Sequence, residues 1–419
     1  MNKIYFKHKE TIHNFFWRSL QIFGKQGITF LIFILCAKLL SPYEFGIYNY
    51  VLAVIFFLII FGDFGISAAT SKYVAQYNVT DKDKLKSVLF NSFLVIFILT
   101  FLVSIFVFLF GEFFLKEKYL YVIYTLPLLF LAPITSLYDG IYRGLKRFRQ
   151  LSIISLIAGL ISISFVYILI RHYGLIGALI SQNLFYFVLF IILALGYKSY
   201  NIKFDKKVIK DIFNYSFILG IASVGYILYT RIDILLLGYF DYINEVAYYS
   251  FISRVFVFIS VPFTILGQII SPNITKYAAL YKFKVIKEKF RRLFFISMLL
   301  SIICSLSLYI LLPVIISHYF PNYLTREFTI MFKIMIWSLP LVIISAVLSQ
   351  AFIVASGKAK YALLTIPFGL INLIMGYILI SNIGFLGVIY ASLISSFLIK
   401  TITYLLLYKD LLNTANKES

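Results

Sequence analysis

The chain has 419 residues, 62% hydrophobic and only 13% charged. Soluble domains carry about 25% charged residues, so the composition excludes a water-soluble globular protein and describes an integral membrane protein. The formal net charge of +21 would point to nucleic acid in a soluble chain, but here its distribution ties it to a membrane.

A helix needs about 20 mainly apolar residues to cross a bilayer. By that measure the sequence predicts an all-α membrane fold of twelve spans, near 14–39, 44–70, 86–110, 118–138, 150–170, 174–197, 210–237, 244–270, 292–316, 328–355, 361–381 and 384–408. The N-terminus lacks a small-residue cleavage site, so the first apolar segment is expected to stay. The connections alternate in basic content. The N-terminus and the segments near 72–86, 139–149, 198–211, 272–292, 357–360 and 409–419 hold 27 Lys and Arg. The opposite connections hold four: Lys116, Lys118, Arg171 and Arg326. The positive-inside rule then puts both termini in the cytoplasm, with the chain multi-pass in the plasma (inner) membrane.

The predicted domains are a six-helix bundle over 1–198, a cytoplasmic linker over 199–209 and a second six-helix bundle over 210–419. The halves repeat one another. Glu44-Phe45-Gly46-Ile47-Tyr48 is echoed by Glu245-Val246-Ala247-Tyr248-Tyr249, and Ser71-Lys72-Tyr73-Val74-Ala75-Gln76-Tyr77 by Thr275-Lys276-Tyr277-Ala278-Ala279-Leu280-Tyr281. Gly174-Leu175-Ile176-Gly177-Ala178 returns as Gly384-Phe385-Leu386-Gly387-Val388. Gly144, Arg147, Phe148, Ser152 and Ile153 return as Gly357, Lys360, Tyr361, Thr365 and Ile366. A duplicated unit of six spans keeps its orientation. The halves are therefore expected to be related by a pseudo-two-fold along the membrane normal, with a substrate site at their interface.

Seven basic residues fall within spans: Arg18, Lys25, Lys38, Arg231, Arg254, Lys333 and Lys400. Two acids, Asp63 and Asp233, lie among them. A charge at mid-bilayer costs at least ~2.5–3.5 kcal/mol on insertion scales, so each needs a partner, water or a function. Arg18, Gln21, Lys25 and Thr29 recur at helical spacing in span one, as do Ser216, Ser223, Tyr226, Thr230 and Asp233 in span seven. Two such stripes could line a shared cavity. Arg18, Lys38, Lys333 and Lys400 can alternatively snorkel to water, whereas Lys25, Arg231 and Arg254 sit deeper. Asp233 points away from Arg231, since i,i+2 residues face apart, so its expected partner is Arg254 or Lys25. Asp63, in Gly62-Asp63-Phe64-Gly65, is either a cation or proton site or a bond to neighbouring backbone. The surplus of cations suits an anionic cargo, and Arg in particular matches phosphate oxygens. Arg18, Lys25, Arg231, Arg254, Lys333 and Lys400 are the candidate cationic cavity, with Asp63 and Asp233 as coupling groups or charge partners.

Cys36 and Cys304 lie in apolar runs and the four His are scattered, which gives neither a disulfide framework nor a metal set. There is no P-loop, no zinc-type His pair and no Gly-rich nucleotide turn, so the sequence predicts no enzyme and no cofactor beyond a coupling proton or sodium ion.

These residues carry a family resemblance over nearly the whole chain. Ala37–Tyr50 and Phe61–Tyr77 in the first half, then Thr230–Phe240, Glu245–Phe263 and Ile270–Leu280 in the second, resemble the O-antigen-type polysaccharide flippases of the multidrug/oligosaccharidyl-lipid/polysaccharide exporter superfamily. The resemblance implies an inverted V of two six-helix bundles working by alternating access, with no nucleic acid involved. The implied cargo is an oligosaccharide on polyprenyl pyrophosphate, moved to the outer leaflet for O-antigen, capsule or another surface polymer. Implied associates are membrane lipids, a polysaccharide polymerase and glycosyltransferases, around a monomeric transporter. A cation-coupled multidrug exporter is the alternative within the superfamily, and a membrane polymerase a more distant one.

Overall fold

Long apolar runs satisfy their backbone amides in hydrocarbon by coiling into helices. A computed structural model of the protein describes the backbone of residues 2–197, 202–353 and 359–416, with side chains from residue 16 onward except at 18, 359, 360, 362, 415 and 416. Among the described residues there is no strand, and ten helices are long and apolar enough to cross a membrane. Residues 199–201 of the expected linker and Gly357 of the repeat lie outside the described residues, as does the side chain of Lys360. The chain divides into two compact units, Met1–Val224 and Gly225–Ser419.

The first unit opens with α1 (Asn2–Leu39) and α2 (Pro42–Asp63). Ser41 caps α2: its Oγ accepts from the Glu44 amide at 3.3 Å, and Glu44 returns a carboxylate oxygen to the Ser41 amide at 2.9 Å. Pro42 follows at the first helical position, where its missing N–H costs nothing. The helix ends at Phe64 and Gly65, with φ of 38° and 79°, and α3 (Ile66–Thr80) leaves in a new direction. Gly65 is required twice over. Its φ is left-handed, and a Cβ there would lie 2.9 Å from the Ser216 carbonyl oxygen.

Asp81 caps α4 (Lys82–Leu115) by accepting from the Lys84 amide at 3.1 Å. Then come α5 (Tyr119–Ile123), α6 (Pro127–Gly144) and the 49-residue α7 (Phe148–Gly196). At 1.5 Å per residue α7 would run about 74 Å, more than twice the hydrocarbon thickness. It breaks at Gly174, where φ is 54° and ψ is −130°. Helices in lipid associate where small residues let them approach. Along α1 and α7, Gly24 receives Leu156 and Gly159 receives Ile28. Elsewhere Ile66, Val88, Leu137, Ile141 and Tyr142 form a fully buried centre.

The helix α8 (Lys206–Thr230) contains the division between the units and begins inside the expected linker, ahead of its predicted end at 209. Its approach is tied to the first unit. Asn91 donates to the Lys203 carbonyl and accepts from the Asp205 amide, both at 2.9 Å. The Tyr77 hydroxyl donates to Asp211 at 3.0 Å, and the Lys72 ammonium lies 3.7 Å from the Tyr215 ring centre.

The second unit continues with α9 (Ile232–Tyr239), α10 (Ile243–Ala279), α11 (Phe283–Tyr319), α12 (Arg326–Met335), α13 (Leu339–Leu348), α14 (Thr365–Ile383) and α15 (Phe385–Asn416). One expectation changes here. The single helix over 210–237 is broken at Arg231, whose φ of −133° ends α8 and starts α9. The span expected over 328–355 is present as Arg326–Ile353, with one tightened turn at Ile336–Ser338 ahead of Pro340, which has no amide to give to the preceding helix.

The internal repeat is visible in backbone geometry. Gly384 has φ of 67°, matching Gly174. A Cβ on Gly177 would lie 2.0 Å from the Leu169 carbonyl oxygen, and one on Gly387 would lie 2.4 Å from that of Leu379. Each unit thus makes the same sharp helical reversal, at positions 210 residues apart. Outer faces are apolar: Phe108 on α4 is 76% exposed and Ile310 on α11 is 68% exposed. Such surfaces are lipid-facing rather than water-facing.

Candidate functional site

Each unit carries a polar cluster set among apolar helices. In the first, Gln21 on α1 is turned inward and its amide donates to Asp139 Oδ1 at 3.3 Å, while Arg143 pairs with Asp139 Oδ2 at 2.6 Å. The sequence places Asp139 at the start of a loop. In fact α6 continues to Gly144, and the acid stands on that helix one turn before its partner. Asp63 Oδ1 accepts from both the amide and the hydroxyl of Ser67. These bonds tie it to the first turn of α3, the bond to neighbouring backbone that is one of its two expected roles.

The stripe expected in span one is only partly a stripe. Thr29 turns its hydroxyl back to the Lys25 carbonyl at 2.6 Å. Lys25 itself is exposed, beside a void of ≈ 10 Å³ shared with Ser155 and Phe185, room for about one water. The side chain of Arg18 lies outside the described residues.

The second cluster is the more enclosed. Asp233, 2% exposed, stands at the start of α9. Its Oδ2 accepts from the Tyr249 hydroxyl of α10 at 2.5 Å and the Ser392 hydroxyl of α15 at 3.2 Å; its Oδ1 accepts from the Asn372 amide of α14 at 3.2 Å. Four helices therefore meet on one carboxylate. Asn372 Oδ1 and the Ser250 and Ser395 hydroxyls are buried there or close by in sequence without a protein partner. Among the described residues Asp233 has no ion pair, so it is not bridged to Arg254, one of its two expected partners. Neutral donors on three neighbouring helices fill the positions that a guanidinium would take. Hydrogen bonds to a charged group contribute roughly 1.5–3 kcal/mol each, enough together to hold a carboxylate that lacks a counter-charge.

What this arrangement can bind follows from its atoms. Carboxylate, amide and hydroxyl oxygens converge, which suits a proton or a hard cation taking oxygen ligands. No group of three His, Cys, Asp or Glu side chains occurs among the described residues. Of the remaining expected cations, Arg231 and Arg254 are half-buried and Lys333 is exposed. Lys400 projects from α15 into an apolar groove of ≈ 600 Å³ walled by α11, α13 and α15.

The repeat has a counterpart to the Asp233 site. In the first unit the Gln182 amide of α7 donates to the Tyr48 hydroxyl at 2.6 Å; in the second, Tyr249 and Ser392 lie 3.4 Å apart. Tyr48 and Tyr249 are 201 residues apart and share one place in the repeated motif, while Gln182 and Ser392 are 210 apart, the spacing of the paired glycines. The group beside the tyrosine differs: the Cys36 thiol at Tyr48, the Asp233 carboxylate at Tyr249. Sequence reasoning found Asp233 but not Tyr249, Asn372, Ser392 or Asp139. The motif alignment of the two halves was a usable signal for the tyrosine. Nothing local marked the others.

The sequence profile of the family described as "Polysaccharide biosynthesis protein" matches residues 11–278. The chain belongs to that family. Among curated proteins, "Uncharacterized membrane protein MJ1375" of Methanocaldococcus jannaschii is 27% identical over 398 residues, covering 88% of this chain and 91% of its own. "Uncharacterized membrane protein MJ1068" of the same organism is 25% identical over 263 residues, 56% of this chain and 51% of its own. Among solved structures, a multidrug resistance MATE family transporter of the MOP superfamily in an inward-facing conformation superposes with a TM-score of 0.75 at 17% identity, covering 96% of each chain. Lipid II flippase MurJ, inward closed, gives 0.72 at 19% identity, over 97% of this chain and 89% of that one. This family member therefore has the fold of the MOP superfamily transporters and is a multi-pass membrane protein.

Proposed function

We propose that the protein is a flippase that carries polyprenyl-pyrophosphate-linked oligosaccharide units from the cytoplasmic to the outer leaflet of the plasma membrane by alternating access, for a surface polysaccharide. The observation that carries this reading is the family match together with the charge pattern: cations at Lys25, Arg231, Arg254 and Lys400 stand in otherwise apolar helices, and an anionic headgroup is the cargo such charges favour. On this reading the ten long helices, the break at Gly174 and the 18-residue α6 amount to twelve crossings in two sets of six, with both termini cytoplasmic.

Asp233 is the coupling group in this scheme. It is enclosed by donors from three helices and has an unsatisfied amide oxygen, Asn372 Oδ1, on one of the same residues. A proton or a sodium ion arriving there changes the charge at the meeting point of α9, α10, α14 and α15, which is what an ion-driven conformational cycle needs.

The test is the leaflet distribution of lipid-linked oligosaccharide in cells with and without the protein. Accumulation on the cytoplasmic side without it, reversed by re-expression, supports the reading. An unchanged distribution with surface polymer intact ends it and leaves a cation-coupled drug exporter as the reading to pursue.

A further inference from the structure

The groove holding Lys400 lies wholly within the second unit. Its walls include Arg291, Phe294, Met298, Tyr404 and Leu405, and among the described residues no acid lines it. Among the described residues Lys400 has no hydrogen-bond or ion-pair partner. A lysine at mid-bilayer costs about 2.5–3.5 kcal/mol on insertion scales, and no group in the groove walls offsets that.

The depth of Lys400 can be read from the helices. α11 and α15 run antiparallel, and the Phe290 and Tyr408 rings meet at 5.9 Å, which fixes one level. Beside that level are the basic residues Lys287, Lys289, Arg291, Arg292 and Lys409, the end assigned to the cytoplasmic boundary. Lys400 is eight residues along α15 from Tyr408, about 12 Å at 1.5 Å per residue. In a hydrocarbon layer about 30 Å thick, that is close to the midplane. A lipid resting in either leaflet keeps its phosphate at the boundary. The phosphate that reaches Lys400 belongs to a lipid on its way across.

We infer that this groove seats the headgroup-proximal end of a single-chain lipid phosphate or pyrophosphate in transit, with the chain along the aromatic walls and its phosphate on Lys400. The inference rests on the flippase reading and adds to it a place for the lipid part of the cargo. The groove, ≈ 600 Å³, lies within the ~300–1,000 Å³ range of pockets that hold a small ligand. Arg291 at the boundary end gives the phosphate a first contact before Lys400 gives the second.

The test uses the purified full-length protein in neutral phosphatidylcholine nanodiscs and farnesyl pyrophosphate carrying a diazirine on its isoprenoid chain. Expected labelling falls on α11 between Phe294 and Ile302 and on α15 between Phe397 and Leu405. Lys400→Gln lowers it at least fivefold, Lys400→Arg keeps it within twofold, and Met298→Trp, which fills the groove without altering charge, lowers it as well. Labelling elsewhere, or labelling unchanged in both Lys400→Gln and Met298→Trp, overturns the inference. Equal competition by phosphatidylglycerol overturns it too, by showing a general anionic-lipid site. Labelling requires no transport, so this result is independent of the leaflet assay. A positive label with an unchanged leaflet distribution sinks the flippase reading and the transit with it, leaving the groove as a lipid-phosphate site, and the reverse pairing sinks the groove alone.

Discussion

The Tyr249 hydroxyl donates to Asp233 at 2.5 Å, and the two residues reach each other from different helices. The carboxylate holds α9 against α10, and through Asn372 and Ser392 against α14 and α15. Asp233→Asn keeps the shape but turns an amide N–H toward existing donors, which costs about 1–3 kcal/mol for the group left unsatisfied. Transport driven by an imposed proton or sodium gradient in proteoliposomes is expected to fall at least tenfold. Tyr249→Phe removes one donor and is expected to have the smaller effect. Full gradient-driven transport in Asp233→Asn removes the coupling role.

Arg254→Ala and Lys25→Ala test the cationic reading apart from stability. Both side chains are at least partly accessible, so their loss leaves little void. The expected outcome is normal abundance in the membrane with a roughly tenfold drop in lipid-linked oligosaccharide export, equivalent to about 1.4 kcal/mol of lost interaction. Wild-type export in both variants contradicts the assignment of these cations to cargo.

Glycine positions give a matched set on folding. Gly177→Ala and Gly387→Ala would bring a Cβ to 2.0 Å and 2.4 Å of the Leu169 and Leu379 carbonyl oxygens, so backbone must move. Each is expected to lower the thermal midpoint markedly or abolish recovery of folded protein. Gly27→Ala meets nothing within 4 Å and gains about 1 kcal/mol of helix propensity. Fluorescence-detected size exclusion after heating separates the three, and equal behaviour contradicts the packing described.

Asp81 supplies a pH-dependent element outside the membrane. The Lys84 amide, and then the Lys84 side chain, hold its carboxyl below the ordinary carboxylate value. A depressed folded-state value means the stabilisation is complete above the unfolded value, near 3.9, and is lost as pH falls through the lower folded one. Amide protection over residues 82–86 is expected to drop in that acid range in the wild type. Asp81→Asn, which still offers an acceptor oxygen, should show a flat profile. A wild-type profile as flat as the variant's refutes the cap as its source.

Much of this architecture could be read from composition and spacing. Long apolar runs have few ways to satisfy their amides in lipid, so the helices were legible, and so was the repeat in its paired Gly-x-x-Gly turns. The break at Arg231 was not. Apolar flanks such as Ile227 and Leu235 read as one continuous span, and only packing reveals that α9 starts afresh. The surroundings of Asp233 were also hidden. Tyr249, Asn372 and Ser392 are 16, 139 and 159 residues away, and a lone Tyr, Asn or Ser in an apolar run carries no local signature. Asp139 was misplaced because a basic cluster follows it, and the eye ends the helix where the charges begin.

The paired reversals at Gly174 and Gly384 have an evolutionary consequence. Backbone geometry of that kind admits almost no substitution, so after duplication each copy had to keep its glycines on its own account. Side chains were under no such restriction: Tyr48 and Gln182 in one copy and Tyr249 and Ser392 in the other hold the same places, yet an acid stands beside the second tyrosine and a thiol beside the first. The same backbone reversal thus serves twice in one chain, once beside a neutral thiol and once beside a carboxylate, so the polar chemistry at the repeated tyrosine can differ between the units while the turn that positions it does not.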